Sequence, residues 1–98
     1  MAYELPLDEG IRKAGWKVKI RDKERLEPPH VTILFKREAW RLCLRTGQFL
    51  EEGDSWRQID SEVRRVIEAN WQVICQAWNQ HYPDNPVQSV NDEQDDRE

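Results

Sequence analysis

The sequence contains no long apolar run and no obvious targeting segment. No stretch of its 98 residues approaches the roughly 18–20 consecutive apolar residues that a membrane-spanning helix needs. The N-terminus lacks a basic region followed by an apolar run, so we expect no secretory signal. The mean hydropathy is −0.94, which indicates a soluble chain with a small core and no membrane partner.

Cysteine, glycine and histidine are scarce, and this scarcity argues against several kinds of site. Cys43 and Cys75 have neither CxxC spacing nor the pattern of a disulfide framework, which favours a reduced, cytoplasmic protein. The four glycines form no phosphate-binding loop. Two scattered cysteines and two scattered histidines give no metal-ligand spacing. We therefore expect no cofactor and no metal.

The charge of the chain is segregated along its length. Residues 12–45 carry eleven Lys or Arg against four Asp or Glu, although the whole chain has a net charge of −4. Residues 83–98 carry six acids against one arginine, together with two prolines and few apolar residues. Such a segment cannot bury enough apolar surface to offset its ordering entropy. It is predicted to be a disordered acidic tail, which solubilises the chain or covers a basic surface.

Apolar and polar residues alternate in the first half of the chain, which predicts β-strands. Residues 15–21 have one apolar and one wholly cationic face, as in a half-buried strand. Three further strands are predicted, over residues 30–35, 39–45 and 48–50. Residues 1–14, which contain a proline and show no sustained period, are predicted to be a mostly irregular N-terminal arm.

In the second half, apolar residues recur at spacings of three and four, which predicts a helix of about five turns. The helix starts either at a Ser55-x-x-Gln58 capping box or at Asp60. It is one long helix or two helices with a bend at Asn70, and Pro83 ends it.

The predicted fold class is therefore α+β, with a small antiparallel sheet of three to four strands packed against this C-terminal helix. Residues 15–82 are predicted to form this single domain. Its core is expected to contain Trp16, Val18, Ile20, Val31, Ile33, Trp40, Leu42, Leu44, Val63, Ile67, Trp71, Ile74 and Trp78.

A cationic sheet face is the first candidate site. Lys17, Lys19 and Arg21 project together from one strand, and Arg41 and Arg45 project together from another. If the strands are neighbours, these side chains share a face that attracts phosphates in a salt-dependent way. The alternative is an ordinary solvated face whose lysines and arginines protect the sheet edge.

His30 and Trp56 are further candidates. His30 follows two prolines and is a candidate general base or ligand, because histidine as a residue type can exchange a proton at physiological pH. The alternative is a loop histidine without a catalytic role. Trp56 falls outside the predicted apolar faces and is a candidate partner contact, because tryptophan is enriched at binding hot spots.

The sequence PPHV at residues 28–31, followed by AWRLCLRTGQFLE and a helix containing NWQVICQAWNQHY, resembles a family of small, mostly bacterial proteins. The family is catalogued as domain of unknown function (DUF) 4160. The resemblance covers about residues 15–82 and departs at Thr32, where the family usually has a second histidine. It implies a component of a toxin–antitoxin module, with a cognate small protein encoded nearby as its partner.

Two functions are predicted. The first is a toxin-like protein directed at RNA, in which the cationic face holds a phosphodiester while His30 moves a proton. Arg41 or Arg45 would then steady the charged transition state. The sequence contains no diagnostic catalytic motif, so enzymatic activity stays open. The second is a non-catalytic, protein-binding adaptor or antitoxin-like partner. In either case we expect a monomer or a small oligomer.

Overall fold

The computed structural model describes residues 3–21 and 27–87 of the chain. Within these residues the elements are β1 (Tyr3–Glu4), α1 (Glu9–Ala14), β2 (Trp16–Ile20), β3 (His30–Phe35), β4 (Glu38–Cys43), α2 (Ser61–Ala69) and α3 (Trp71–His81). The four strands form one antiparallel sheet in the order β1-β2-β3-β4, so each strand pairs with its neighbours in sequence. A 3-10 turn, Trp56–Gln58, precedes α2 and α3. The predicted α+β class is confirmed.

The register of the sheet gathers its large apolar side chains on one face. Trp16 of β2 lies opposite Phe35 of β3, and Val18 lies opposite Ile33. The Trp16 and Phe35 rings are stacked, with their centroids 4.1 Å apart. These residues belong to one core with the apolar sides of α2 and α3. All the residues predicted as core are buried except Trp71, which is half-buried.

The C-terminal helical segment is two helices, because the first helix ends at Asn70. The Asn70 side-chain amide donates to the carbonyl oxygen of Val66 at 2.8 Å, which occupies the end of α2. The Asn70 backbone φ of −113° departs from helical geometry. A new helix then begins, in which the Ile74 N–H donates to the Asn70 carbonyl at 3.0 Å. Of the two predicted arrangements, the one with a bend at Asn70 is correct.

Both predicted helix starts are used, by successive elements. The Ser55 hydroxyl accepts from the Arg57 N–H, and the Ser55 N–H donates to the Gln58 side chain, so this pair caps the 3-10 turn. Asp60 caps α2 by accepting from the Glu62 N–H at 2.8 Å. The capping signals therefore mark two starts rather than alternatives for one.

The N-terminal segment is more ordered than the predicted irregular arm. Tyr3 and Glu4 pair with β2 as β1, and Leu5 is buried in the core. Helix α1 ends at Gly15, whose φ of 115° is one that glycine adopts without strain. Gly15 also lies beneath the Phe35 ring, where an added Cβ would be 3.8 Å from the ring. The packed region thus begins before residue 15.

Two predictions about the later segments are corrected by the structure. The strand predicted over residues 48–50 is a single bridge between Phe49 and Leu42. At the start of the predicted disordered tail, Pro83 and Asp84 are exposed, but the chain packs against the core by residue 87. Val87 is buried there, and its N–H donates to the Asn79 side chain at 2.7 Å. The rest of the predicted tail, residues 88–98, lies outside the described residues.

Candidate functional site

Residues 82–87, which we call the C-terminal strap, are bound to the ends of several strands. The Tyr82 hydroxyl donates to the carbonyl oxygen of Arg21, directly after β2. The Asn85 side-chain amide donates to the carbonyl oxygen of Glu27, shortly before β3, at 2.7 Å. The strap therefore brings the C-terminal side of α3 to the end of the sheet where β3 begins.

His30, the predicted general base, is enclosed at this end of the sheet. Its side chain has no exposed surface, and its ring centroid lies 5.5 Å from that of Trp78 in α3. Its Nδ1–H donates to the carbonyl oxygen of Pro28 at 2.9 Å. Its Nε2 lies 3.8 Å from a carboxylate oxygen of Glu27. A general base must come within hydrogen-bond reach of substrate. This packing closes His30 to a substrate in the described conformation.

Arg45 is bound to the C-terminal strap and not directed from a sheet face. Strand β4 ends at Cys43, and Arg45 lies in the turn that follows. Its Nε donates to the carbonyl oxygen of Val87 at 2.9 Å. Its Nη2 donates to the carbonyl of Pro86 at 2.8 Å and contacts the Asn85 side-chain oxygen at 3.3 Å. The guanidinium is thus used to hold the strap.

Arg41 lies on β4, on the face of the sheet opposite the core, which we call the outer face. Its guanidinium bridges two carboxylates, with Nη1 2.8 Å from Glu27 and Nη2 bound to Glu51. The hydrogen bond to Glu51 is the main cause of a raised Arg41 pKa, opposed in part by burial. Two acidic partners offset the positive field that a phosphate would meet at Arg41.

The remaining predicted cations follow β2. Lys17 and Arg21 are exposed and Lys19 is half-buried. Lys19 lies opposite Thr32, which lies opposite Arg41, so the structure does bring Lys19 and Arg41 into one cross-strand row. Glu4 of β1 lies opposite Lys19 on its other side. The five predicted cations are therefore divided among the outer face, the residue after β2 and the strap.

A second region, on the side of the loop after β4, was not predicted as a site apart from Trp56. The Trp56 ring contacts the edge of Phe49, with centroids 5.1 Å apart. Arg64 of α2 lies over the Trp56 ring at 4.8 Å from its centroid and binds Glu68 at 2.9 Å. An open hollow of about 290 Å³ is lined by these two charged residues together with Trp71, Gly47 and Trp56.

An adjoining hollow of about 370 Å³ shares Gly47 and Trp56 with the first. It is lined by the acidic loop that follows β4, including Glu51, Glu52 and Asp54. We call the two hollows together the aromatic–acidic surface. The signal in the sequence was the position of Trp56 outside the helical period. Its acidic neighbours were interpreted only as a loop.

The two cysteines are both free thiols. Cys43 is buried at the end of β4, whereas Cys75 is half-buried on α3. Burial raises the pKa of the Cys75 thiol, which disfavours the nucleophilic thiolate. In the part of the chain that the structure describes, no three His, Cys, Asp or Glu side chains come together as metal ligands.

Over residues 3–21 and 27–87, no helix has the length and apolar character that crossing a bilayer requires. Comparison of the chain with protein-family models, with curated proteins and with solved structures gives no match. The resemblance to DUF 4160 therefore stays a prediction, and the function is argued from the geometry of the chain itself.

Proposed function

We propose that this protein is a non-catalytic, protein-binding component of a toxin–antitoxin type pair, the antitoxin-like alternative of the two predicted functions. The observation that carries this proposal is a contrast in exposure. His30, the residue on which catalysis would depend, has no exposed surface. Phe49, Trp56 and Trp71, in contrast, remain half-exposed around adjoining hollows.

The geometry gives the nuclease hypothesis little support. His30 uses Nδ1 to bind the Pro28 carbonyl and packs against Trp78, so the ring holds the start of β3 in place. Stabilising a transition state requires donors aimed at the developing charge. The donors of Arg41 and Arg45 point instead at carboxylates and at the C-terminal strap.

Half-exposed aromatic side chains favour binding to another protein. Tryptophan is enriched at binding hot spots because burying it removes a large apolar area from water. Trp56 and Trp71 line one hollow, and Trp56 and Phe49 line the next, so the three rings form one surface. The cognate small protein encoded nearby is the partner that the family resemblance implies.

The test combines a binding and a cleavage measurement. The chain is co-expressed with the product of the adjacent gene, with an affinity tag on one partner only. We expect the two proteins to elute together in size-exclusion chromatography as a complex of fixed stoichiometry. We also expect the isolated chain to cleave total RNA no faster than its His30→Gln variant does. RNA cleavage that disappears in a folded His30→Gln variant would overturn the proposal. Failure of the complex to form would overturn it as well.

A second candidate function is nucleic-acid binding without catalysis. Lys17 and Lys19 lie on one face of β2, and among the described residues neither forms an ion pair with a carboxylate. If this face binds phosphates, binding weakens as salt rises, and Lys17→Gln lowers the slope of log K against log salt by about 0.7–0.9. Arg45→Gln is the matched control, because Arg45 contacts the C-terminal strap and its loss should leave the slope unchanged.

A further inference from the structure

The aromatic–acidic surface already holds one guanidinium, that of Arg64. This group lies 4.8 Å from the centroid of the Trp56 ring and is bound to a carboxylate oxygen of Glu68 at 2.9 Å. An aromatic face and a carboxylate are the two groups that hold an arginine side chain most effectively. The Arg64 and Glu68 side chains are about half-exposed, with 47% and 55% of their surface accessible. Such an ion pair contributes little stability and is readily exchanged.

Space remains beside this pair. The hollow of about 290 Å³ is also lined by the half-buried Trp71, so two aromatic side chains contribute to its lining. Gly47 forms part of the wall shared with the second hollow and presents no side chain. A side chain with a flat cationic end suits this lining because it can stack on an aromatic ring while its N–H groups reach a carboxylate.

The charge of the surface selects the sign of its ligand. Arg64 is the one cation among the residues that line the two hollows. The same residues include four carboxylates, those of Glu51, Glu52, Asp54 and Glu68. Glu51 is paired with Arg41. Glu52 and Asp54 form no ion pair within the described residues. Complementary charge steers binding and excludes anionic partners.

We propose that the aromatic–acidic surface binds an arginine-containing basic segment of a partner protein. One partner arginine enters the hollow lined by Trp56 and Trp71 and takes the place of the Arg64 guanidinium on the Trp56 ring, and neighbouring cations lie against Glu52 and Asp54. This inference rests on the proposed protein-binding function and specifies the chemistry of the partner. Arg64 is an internal competitor for the site, which distinguishes this arrangement from a merely acidic patch.

The test uses short fluorescein-labelled peptides of alternating glycine with arginine, lysine or glutamate, and an RNA oligonucleotide with the same label. Binding is followed by anisotropy with the full chain. We expect the arginine peptide to bind several-fold more tightly than the lysine peptide, and the glutamate peptide and RNA not to bind at this surface. Trp56→Leu should weaken binding of the arginine peptide by about tenfold, because it removes the ring face and keeps an apolar side chain.

Three further variants separate the contributions. Arg64→Gln should strengthen binding by about two- to threefold, because it removes the internal competitor. Changing Glu52→Gln together with Asp54→Asn should weaken binding and flatten its salt dependence. Val73→Ala is the matched control: Val73 is 47% exposed and lines neither hollow, so affinity should not change. Circular dichroism of each variant establishes that it is folded.

Several outcomes would overturn the inference. These are equal affinity for arginine and lysine peptides, no effect of Trp56→Leu, weaker binding in Arg64→Gln, or RNA binding that Trp56→Leu abolishes. Binding to the cognate protein distinguishes failure of this inference from failure of the proposed function. A complex unaffected by Trp56→Leu and by the double change at Glu52 and Asp54 overturns only the inference. Absence of any complex overturns the proposed function, on which the inference rests.

Discussion

The C-terminal strap and the aromatic–acidic surface use similar side chains in opposite ways. In the strap region, Trp78 is fully buried and its Nε1–H donates to the Asn85 carbonyl at 2.6 Å. Arg45 completes the same network through the backbone of residues 86 and 87. In the other region, Trp56 and Arg64 contact each other but remain partly exposed. The presence of a tryptophan and an arginine in one region therefore does not tell a core from an interface until the hydrogen-bond partners of both side chains are known.

The largest expected effect comes from removing a tryptophan on each side of this comparison. Trp78→Ala should lower the free energy of unfolding by about 3–5 kcal/mol, because it opens a cavity and orphans the Asn85 carbonyl. Trp56→Ala should cost no more than about 1 kcal/mol, as is usual for partly exposed positions. Urea denaturation of the two variants measures the difference. Equal losses of unfolding free energy would contradict the assignment of Trp78 to the core and of Trp56 to an exposed surface.

His30→Ala tests whether the enclosed histidine is structural. We expect a loss of about 2–3 kcal/mol in unfolding free energy, because the change removes buried volume and the hydrogen bond to Pro28. His81→Ala, at the half-buried C-terminal end of α3, should cost less than about 1 kcal/mol and serves as the control. If His30→Ala keeps full stability while an activity is lost, the interpretation of His30 as a packing residue is wrong.

Arg45→Ala should destabilise the chain by about 1–2 kcal/mol, because its donors hold the C-terminal strap. Arg45→Lys should recover only part of this loss, since an ammonium cannot reproduce the guanidinium geometry. Lys17→Ala, which removes an exposed cation of β2, should change stability by less than about 0.5 kcal/mol. Hydrogen exchange at the Val87 amide provides a local measurement, and its protection should fall in Arg45→Ala. Unchanged protection would mean that the strap is held without Arg45.

The smallest effect concerns thiol reactivity. Burial raises the Cys75 pKa, so at a given pH a smaller fraction is thiolate than in an exposed cysteine. Alkylation of Cys75 by iodoacetamide should therefore be slower than that of a free cysteine at neutral pH and should accelerate as pH rises. Cys43, which is buried, should react only after unfolding. Mass spectrometry of the native chain over time follows both sites, and earlier modification of Cys43 would contradict the packing at β4.

Local patterns in the sequence were sufficient for the central strands, the helical half and most of the core. Alternation identifies which side of a strand is buried, and the three-to-four spacing does the same for a helix. These patterns do not carry information about pairing between distant segments. β1 has only two residues, Tyr3 and Glu4, and exists because β2 offers them a partner. The short helix α1 contains Gly10 and no fully buried residue, so its periodicity gave no signal.

The candidate site was harder to predict because its decisive contacts join residues far apart in sequence. Alternation assigned Arg45 to a sheet face, but β4 ends at Cys43 and Arg45 binds a carbonyl 42 positions later. The hydrogen bond from the Asn85 side-chain amide to the Glu27 carbonyl joins residues 58 positions apart. Trp56 was identified for a different reason, because a tryptophan that fits no local period needs another explanation. For the aromatic–acidic surface, a tryptophan outside the helical period was thus a better indicator than the distribution of charged residues.

The strand order has a consequence for how the chain acquires its structure over time. Because each strand pairs with the next one along the sequence, the sheet assembles through contacts between segments near in sequence, whose closure costs less entropy than that of distant contacts. The strap contacts span most of the chain and form only when its C-terminal part has been synthesised. We therefore expect the strands to be available for pairing during translation before Trp78 and the strap arrive to enclose His30. Synthesis of residues 78–87 is then the step that fixes this end of the sheet.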